Sequence, residues 1–284
     1  MKKSLLLLLL ILMMALPGLI AAKDKRFILM SSTIGPIDAG IVGALEAGFE
    51  KDTGIRVRHV GAGTGAALNI ARKCNIDLVM VHAKALEEKF IAEGYGTERI
   101  PLMYNDFVIV GPTSDPAGIK GMKTAREALK KISEAGALFI TRGDKSGTHI
   151  AEMDLWKAAG IKPAGPWYVT YEKGAEGNAP TLRFTDQKGA YTVIDRATVL
   201  SMKKEIKLEI LVAGDEALLN RISLIPVNPQ KCPQANLKET IIFVNWLADP
   251  KKGQKIIKTF GIKEYGNPMF FPDSIPWRMS QGIK

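Results

Sequence analysis

Ile55-Arg56-Val57-Arg58 alternates apolar and basic residues, then runs through Val60 into Gly61-Ala62-Gly63-Thr64-Gly65 and the helical pattern Ala66 to Lys73. A period of two, a glycine turn and then a period near 3.6 spell strand, tight turn and helix. The same succession recurs on both sides. Upstream, Phe27-Ile28-Leu29-Met30 ends in Ser31-Ser32-Thr33, and a helical pattern from Asp38 puts Ile41, Val42, Leu45 and Phe49 on one face before Gly54. Downstream, Ile76 to Val81 reads as a buried strand and Lys84 to Glu93 as its helix. Phe107 to Val110, Ala137 to Ile140, Trp167 to Thr170, Ala190 to Ile194, Leu208 to Val212 and Leu224 to Val227 supply further strands. Helical patterns cover Thr124 to Glu134, the stretch ending at Ala159, and Leu237 to Leu247. Strands alternating with helices predict an α/β fold with parallel sheets.

The first residues bear on the compartment. Lys2-Lys3 precedes the apolar run Leu5 to Leu16, Pro17-Gly18 breaks it, and Ala21-Ala22 offers a small-residue cleavage site. That is the plan of a secretory signal peptide, residues 1–22, and predicts a periplasmic protein. The run is shorter than the roughly 20 residues a membrane span needs. Processing near Ala22 would remove two lysines from a formal net charge of +10. The remaining basic residues are interleaved with acids, as in Glu87-Glu88-Lys89, a pattern of solvated faces rather than of a nucleic-acid surface. Cys74 and Cys232 are the two cysteines. Export permits a bridge between them, and two separate thiols stand as the alternative. Neither has a second Cys or a His at ligand spacing, so no metal site is expected.

Three predicted strand-to-helix turns carry the chemistry: Ser31-Ser32-Thr33, Gly61 to Gly65, and Arg142-Gly143-Asp144-Lys145-Ser146-Gly147-Thr148. Each stands at the carboxyl end of a strand, where open α/β sheets bind ligands, and at a helix start whose N–H groups favour an anion. Hydroxyls and the Arg142 guanidinium add donors. Taken singly, each turn also reads as ordinary helix capping, and Arg142 as a local salt bridge to Asp144. A pocket made only of donors suits a fully ionised oxyanion, which accepts hydrogen bonds and offers none. Gly61-x-Gly63-x-x-Ala66 matches a dinucleotide fingerprint in outline, but Val81-His82-Ala83-Lys84 stands where the ribose-binding acid belongs. Nucleophile-elbow, zinc-protease and Walker motifs are absent from the sequence. Of the ionisable groups, His82 and Asp144 are those that an enzymatic reading would require.

The sequence resembles the tungstate-binding proteins of ABC transporters over nearly the whole mature chain. The likeness rests on Gly61 to Leu68, Asp77 to Tyr95, Met103 to Pro112 with Asp115 to Lys120, Arg142 to His149, Gly189 to Thr192 with Asp195-Arg196, and Ile225 to Pro229. It implies a two-lobed periplasmic-binding-protein fold, type II-like, with a ligand cleft between lobes. Lobe I would hold 23–105 and 213–284, and lobe II 106–212. It further implies a tungstate ligand, with molybdate as the rival, no cofactor, a monomeric protein and a membrane permease as partner. By position, Arg142 and Thr148 resemble the family's anion-binding arginine and threonine, and Thr64 with its glycine loop would contribute from the first lobe; the candidate ligand-binding residues are Ser32, Thr33, Gly63, Thr64, Arg142, Ser146, Thr148 and Thr192. The family shows Thr-Thr-Thr-Ser after its first strand; here Ser32-Thr33-Ile34-Gly35 keeps two hydroxyls. That departure leaves another oxyanion, such as vanadate or sulfate, or a small organic anion as the alternative ligand.

Overall fold

A computed structural model describes residues 27–283 of the chain, so the expected signal peptide and its cleavage near Ala22 lie outside the described residues. In chain order the elements begin with β1 (Phe27–Thr33), α1 (Ile34–Asp38), α2 (Ile41–Thr53), β2 (Arg56–Ala62), α3 (Thr64–Arg72), β3 (Leu78–Val81), α4 (Lys84–Ala92) and β4 (Ile100–Gly111). The middle of the chain forms α5 (Ala125–Glu134), β5 (Phe139–Thr141), α6 (Gly147–Ala158), β6 (Tyr168–Thr170), α7 (Asn178–Lys188), β7 (Thr192–Asp195), α8 (Arg196–Ser201) and β8 (Glu209–Val212). The chain returns through β9 (Leu219–Pro226) to α9 (Leu237–Ala248), α10 (Gly253–Thr259), α11 (Ile262–Tyr265), β10 (Phe271–Pro272) and α12 (Ile275–Ser280).

The periodicities account for the first elements. Ile41, Val42, Leu45 and Phe49 of α2 are all buried, as a helix stripe packed on a sheet must be. Gly40 and Gly54 bracket the helix with φ of 85° and 71°, the left-handed backbone that favours glycine. In β2, Ile55 precedes a strand in which Val57 turns inward while Arg56 and Arg58 face solvent. β2 ends the strand order β10-β4-β9-β3-β1-β2, and outward charges on an edge strand discourage pairing with other chains. β1 lies between β2 and β3, parallel to both, and six of its seven residues are shielded to some degree.

The sheet is mixed rather than parallel. β9 runs antiparallel to β3 and β4, and β4 is also antiparallel to β7, β8 and β10. The pattern Phe107 to Val110 announces only the second half of β4. Its first half, from Ile100, contains Pro101 and the polar pair Asn105-Asp106, and there β4 pairs with β9 as far as Asp106↔Leu219. From Phe107↔Asp195 onward it pairs with β7 instead. One twelve-residue strand therefore serves two cores. Leu102 and Met103 join Ile28, Phe49, Phe243 and Trp246, while Ile109 joins Leu129, Phe139, Trp156 and Leu218. Leu218 is fully buried in the second core, and Asp215 accepts a hydrogen bond from Ala125 N–H at 2.7 Å. The chain leaves that core between Leu218 and Leu219.

α7 is a helix that hydrophobic periodicity does not announce. Its buried face is Thr181, Leu182 and Thr185, and both threonines donate back to carbonyls one turn earlier, at 2.8 Å each. Threonine packs well enough there but gives no apolar signal. The two cysteines form a disulfide, Cys74–Cys232, with Cα atoms 5.0 Å apart across a sequence separation of 158. It joins the end of α3 to the loop after β9, and closing so long a loop contributes about 5 kcal/mol in the chain-entropy account.

Beneath α6 lies a buried acid. Glu152 is 1% exposed and accepts from Trp156 Nε1 at 3.1 Å and from the Tyr168 hydroxyl at 2.7 Å. Burial raises its carboxyl from 4.5 to about 7, and these hydrogen bonds only partly offset the effect. Because the folded pKa lies above the unfolded one, the protonated carboxyl contributes stability that is complete below pH 4.5 and is lost as pH rises through about 7. The loss amounts to up to about 3 kcal/mol. Thermal melting at pH 5 and pH 8 checks this: the wild-type chain should lose several degrees more than Glu152→Gln. Equal losses in the two proteins would show that Glu152 is already ionised at pH 5.

Candidate functional site

The register of the sheet brings the first two turns together. Thr33 at the end of β1 stands beside Ala62 at the end of β2, and Ser32 stands beside Met80 of β3. All three strands are parallel, so Thr33, Gly63-Thr64 and His82 share one edge. The third turn, between β5 and α6, belongs to the other core. It meets this edge at one observed point: a Cβ built on Gly147 would lie 3.7 Å from His82 Cε1. The cleft between the cores thus has Thr33, Thr64 and His82 on one wall and the Arg142–Thr148 turn on the other.

Local structure leaves donors uncommitted. Thr64 opens α3 behind Gly63, and no side chain caps that helix, so the N–H groups of its first turn lack a side-chain acceptor. Side chains placed on Gly35, Gly63 or Gly65 would meet nothing within 4 Å, which lets a ligand approach the backbone closely there. Among the buried polar atoms without a hydrogen-bond partner are Thr33 Oγ1, Thr64 Oγ1 and Arg142 Nε. A buried unpartnered donor costs about 1–3 kcal/mol, and here three of them come from the three turns. Thr148 is also buried, in the first turn of α6.

Other expected site residues are engaged within the fold. Thr192 donates to Ile140 O at 2.7 Å and so ties β7 to β5 with its single proton. Ser32 donates to Thr33 O at 3.3 Å. Ser146 Oγ caps α6 by accepting from His149 N–H at 3.3 Å, and its hydroxyl is engaged with the Asp144 carboxylate. Ile34 is half exposed at the start of α1, and its Cγ1 would come within 3.9 Å of a Cβ on Gly61. The residue that replaces a family hydroxyl therefore lies across the glycine loop.

Arg142 is held rather than free. Its Nη2 donates to Asp144 Oδ2 at 2.5 Å and its Nη1 to Asn178 Oδ1. The local salt bridge expected from sequence is present, so the turn carries no net side-chain charge from this pair. Burial alone would raise the Asp144 carboxyl; hydrogen bonds from Ser146 (N–H to Oδ1, 3.1 Å) and the Arg142 charge outweigh it and hold the group below its ordinary range. An acid held ionised this way is a poor proton acceptor. Burial pushes the His82 imidazole below its ordinary value, against a hydrogen bond to Asn220 that works the other way. It is neutral at pH 7 and adds no cation to the cleft. His59 pairs with Glu46 at 2.9 Å, and His149 Nδ1 accepts from Lys145 N–H at 2.9 Å.

The site as built offers hydroxyl, amide and guanidinium donors from two cores, and the Asp144 carboxylate of its third turn is occupied. Such a lining accepts a compact, fully ionised anion and opposes a ligand bearing its own donors. Asn178 is the partner of Arg142 that sequence reasoning missed. It stands at the start of a helix without an apolar stripe, and nothing local marks it as the partner of an arginine 36 residues away. No group of three or more metal-ligating side chains occurs among the described residues.

Comparison with known proteins agrees with this architecture. A family model described as a PBP superfamily domain matches residues 22–251. The tungstate-binding protein TupA of Peptoclostridium acidaminophilum is 41% identical over 252 residues, which span 88% of this chain and 87% of that protein. A putative ABC transporter anion-binding protein of Haloferax volcanii is 40% identical over 253 residues, 87% of this chain and 72% of the relative. The solved structure of the tungstate-binding protein TupA from Desulfovibrio alaskensis G20 matches with a TM-score of 0.80 at 42% identity, covering 88% of this chain and 99% of that one. Two cores joined by a shared strand are thus the two lobes of a periplasmic-binding-protein fold, and the chain belongs to the PBP superfamily and, within it, to the TupA family.

Proposed function

We propose that this chain is an exported solute-binding protein that captures tungstate in the cleft between its lobes and delivers it to the membrane permease of an ABC transporter. The observation that carries this reading is the set of three buried, unpartnered donors, Thr33 Oγ1, Thr64 Oγ1 and Arg142 Nε, contributed by turns of both cores. A tetrahedral dianion offers acceptors to all of them at once, which neither core supplies alone. Relatives named as tungstate-binding proteins support the identity of the anion. Molybdate, with the same charge and shape, is the nearest competitor.

In this reading lobe I comprises 23–105 with the chain after Leu218, and lobe II comprises 106–218. The expectation from the resemblance puts this boundary at 212; the packing of Leu218 in the second core supports drawing it a few residues later. The lobes close by hinge motion about the crossing strands, and the closed, monomeric form is what the permease meets. The chain performs no reaction in this cycle. Residues 1–22 direct export and are removed near Ala22, which places the mature protein in the periplasm.

Titration calorimetry of the mature protein with tungstate, molybdate, vanadate and sulfate tests the reading. Tight tungstate binding with sulfate silent is expected. A response confined to vanadate or sulfate would mean that Ile34-Gly35 has redirected the pocket, and silence from all four would overturn oxyanion capture.

The donors rank by what they leave behind. Thr33→Val and Thr64→Val each remove one hydrogen bond to a charged ligand, worth about 1.5–3 kcal/mol, so tungstate affinity should fall about tenfold or more. Arg142→Ala also strands Asp144 as an unpaired anion facing the ligand, and should cost at least about a hundredfold. If calorimetry finds Arg142→Ala binding as tightly as the wild type, the anion sits elsewhere.

A further inference from the structure

Arg142 depends on a residue from another element for its orientation. Asp144 lies in the same turn and moves with it, whereas Asn178 is the first residue of α7. Asn178 is fixed in turn, because its Nδ2 donates to Asp195 Oδ2 at 2.6 Å. An arginine can only donate and an ionised carboxylate can only accept, so one orientation of the amide satisfies both neighbours. Asp195 is itself tied down as the cap of α8. Thr198 N–H donates to Oδ1 at 2.8 Å and the Thr198 hydroxyl donates to Oδ2 at 2.6 Å. The next residue, Arg196, forks onto Asp106 through Nε at 2.7 Å and Nη2 at 2.5 Å. Asp106 is the residue of β4 at which pairing with β9 ends.

This arrangement settles which edge of the guanidinium is offered. Asn178 takes a proton of Nη1 and Asp144 a proton of Nη2, while Nε stays buried without a partner. The chemistry of the partner matters as much as its position. An amide oxygen accepts from Arg142 without adding charge. A carboxylate of the same shape would leave the arginine facing two acids, with Asp195 adjacent, and the cleft would turn net negative.

We propose that Asn178 is the positioning residue for oxyanion capture: it holds Arg142 so that Nε–H faces the ligand, keeps the pocket from acquiring a further negative charge, and anchors the arginine through Asp195 to the crossing strand β4. This rests on the oxyanion-binding reading given above. Asn178 acts through Arg142, so its effect on affinity should vanish once the arginine fork is gone.

The test is calorimetric titration of tungstate into the mature wild-type chain, Asn178→Ala, Asn178→Asp, Arg142→Lys and the double variant Asn178→Ala/Arg142→Lys. The lysine carries the charge but cannot fork. Asn178→Ala should weaken binding tenfold or more. Asn178→Asp has the same shape but removes the donor to Asp195 and sets a second carboxylate beside it, so it should weaken binding at least a hundredfold, with Asn178→Ala as the variant in which folding is the control. In the Arg142→Lys background, Asn178→Ala should cost less than twofold. A ligand-free melting temperature of Asn178→Ala within about 2 °C of wild type would show that its loss belongs to the site; melting that falls in step with affinity in both Asn178 variants would overturn the positioning role. Wild-type binding together with an Asn178→Asp affinity within threefold of it, or a tenfold loss that persists in the lysine background, would likewise overturn that role and leave the oxyanion reading standing. Failure of the wild type itself to bind tungstate would overturn the function on which the proposal rests.

Discussion

Backbone hydrogen bonding along β4 is the constraint on which the rest of this molecule depends. Ile100 to Asp106 pairs with β9, and Phe107 to Val110 pairs with β7. Neither half can shift register without carrying the other, because a one-residue slip would turn Leu102, Met103, Val108 and Ile109 out of their cores. The position of the two lobes is therefore set by strand pairing rather than by a flexible tether. What freedom remains lies where the pairing changes hands, at Asp106 and Phe107. That point is braced by side chains. Asp106 is almost fully buried and ionically bound to Arg196, and Asn220 Nδ2 donates to Asn105 Oδ1 at 2.7 Å.

The binding wall follows from the same geometry. Parallel β1, β2 and β3 end together, so three short turns reach one edge without long excursions of chain. The fold collects donors there that it does not itself use, and it disposes of acceptors by pairing them. Asp144 is consumed by Arg142, and Asp195 is consumed by Asn178 and by the cap of α8. What remains at this edge is a lining of dipoles and one shared cation. A formal charge of +10 spread over the chain contributes long-range attraction at most.

How far the sequence was legible depended on where each signal resided. The first lobe's alternation was open to reading because Ile41, Val42, Leu45 and Phe49 form a clean stripe and glycines mark the turns. The three candidate turns were visible for the same reason, since Ser, Thr and Gly at strand ends are local signals. β4 was read only in part, because Pro101 and Asn105-Asp106 break the apolar run at the point where the strand changes lobes. The mixed sheet was hidden because strand direction is a property of long-range pairing. Thr192 reads from sequence as a ligand donor, whereas its hydroxyl donates to Ile140 O within the fold, a long-range contact that no local signal announces. Asn178 could not be reached at all, for its partners Arg142 and Asp195 are distant in sequence and its own helix buries threonines.

The disulfide has a consequence for biogenesis. Cys74 belongs to the first lobe's early segment and Cys232 to its late one, with the whole of the second lobe encoded between them. A chain emerging from its amino terminus can complete the inserted lobe first, as a continuous stretch. The discontinuous lobe must wait, with the edge of β3 that β9 will cover still open and with one thiol unmatched. Oxidation of the pair is thus a record that β9 and the loop after it have arrived, and a chain truncated before Cys232 carries an unmatched thiol that marks it as unfinished.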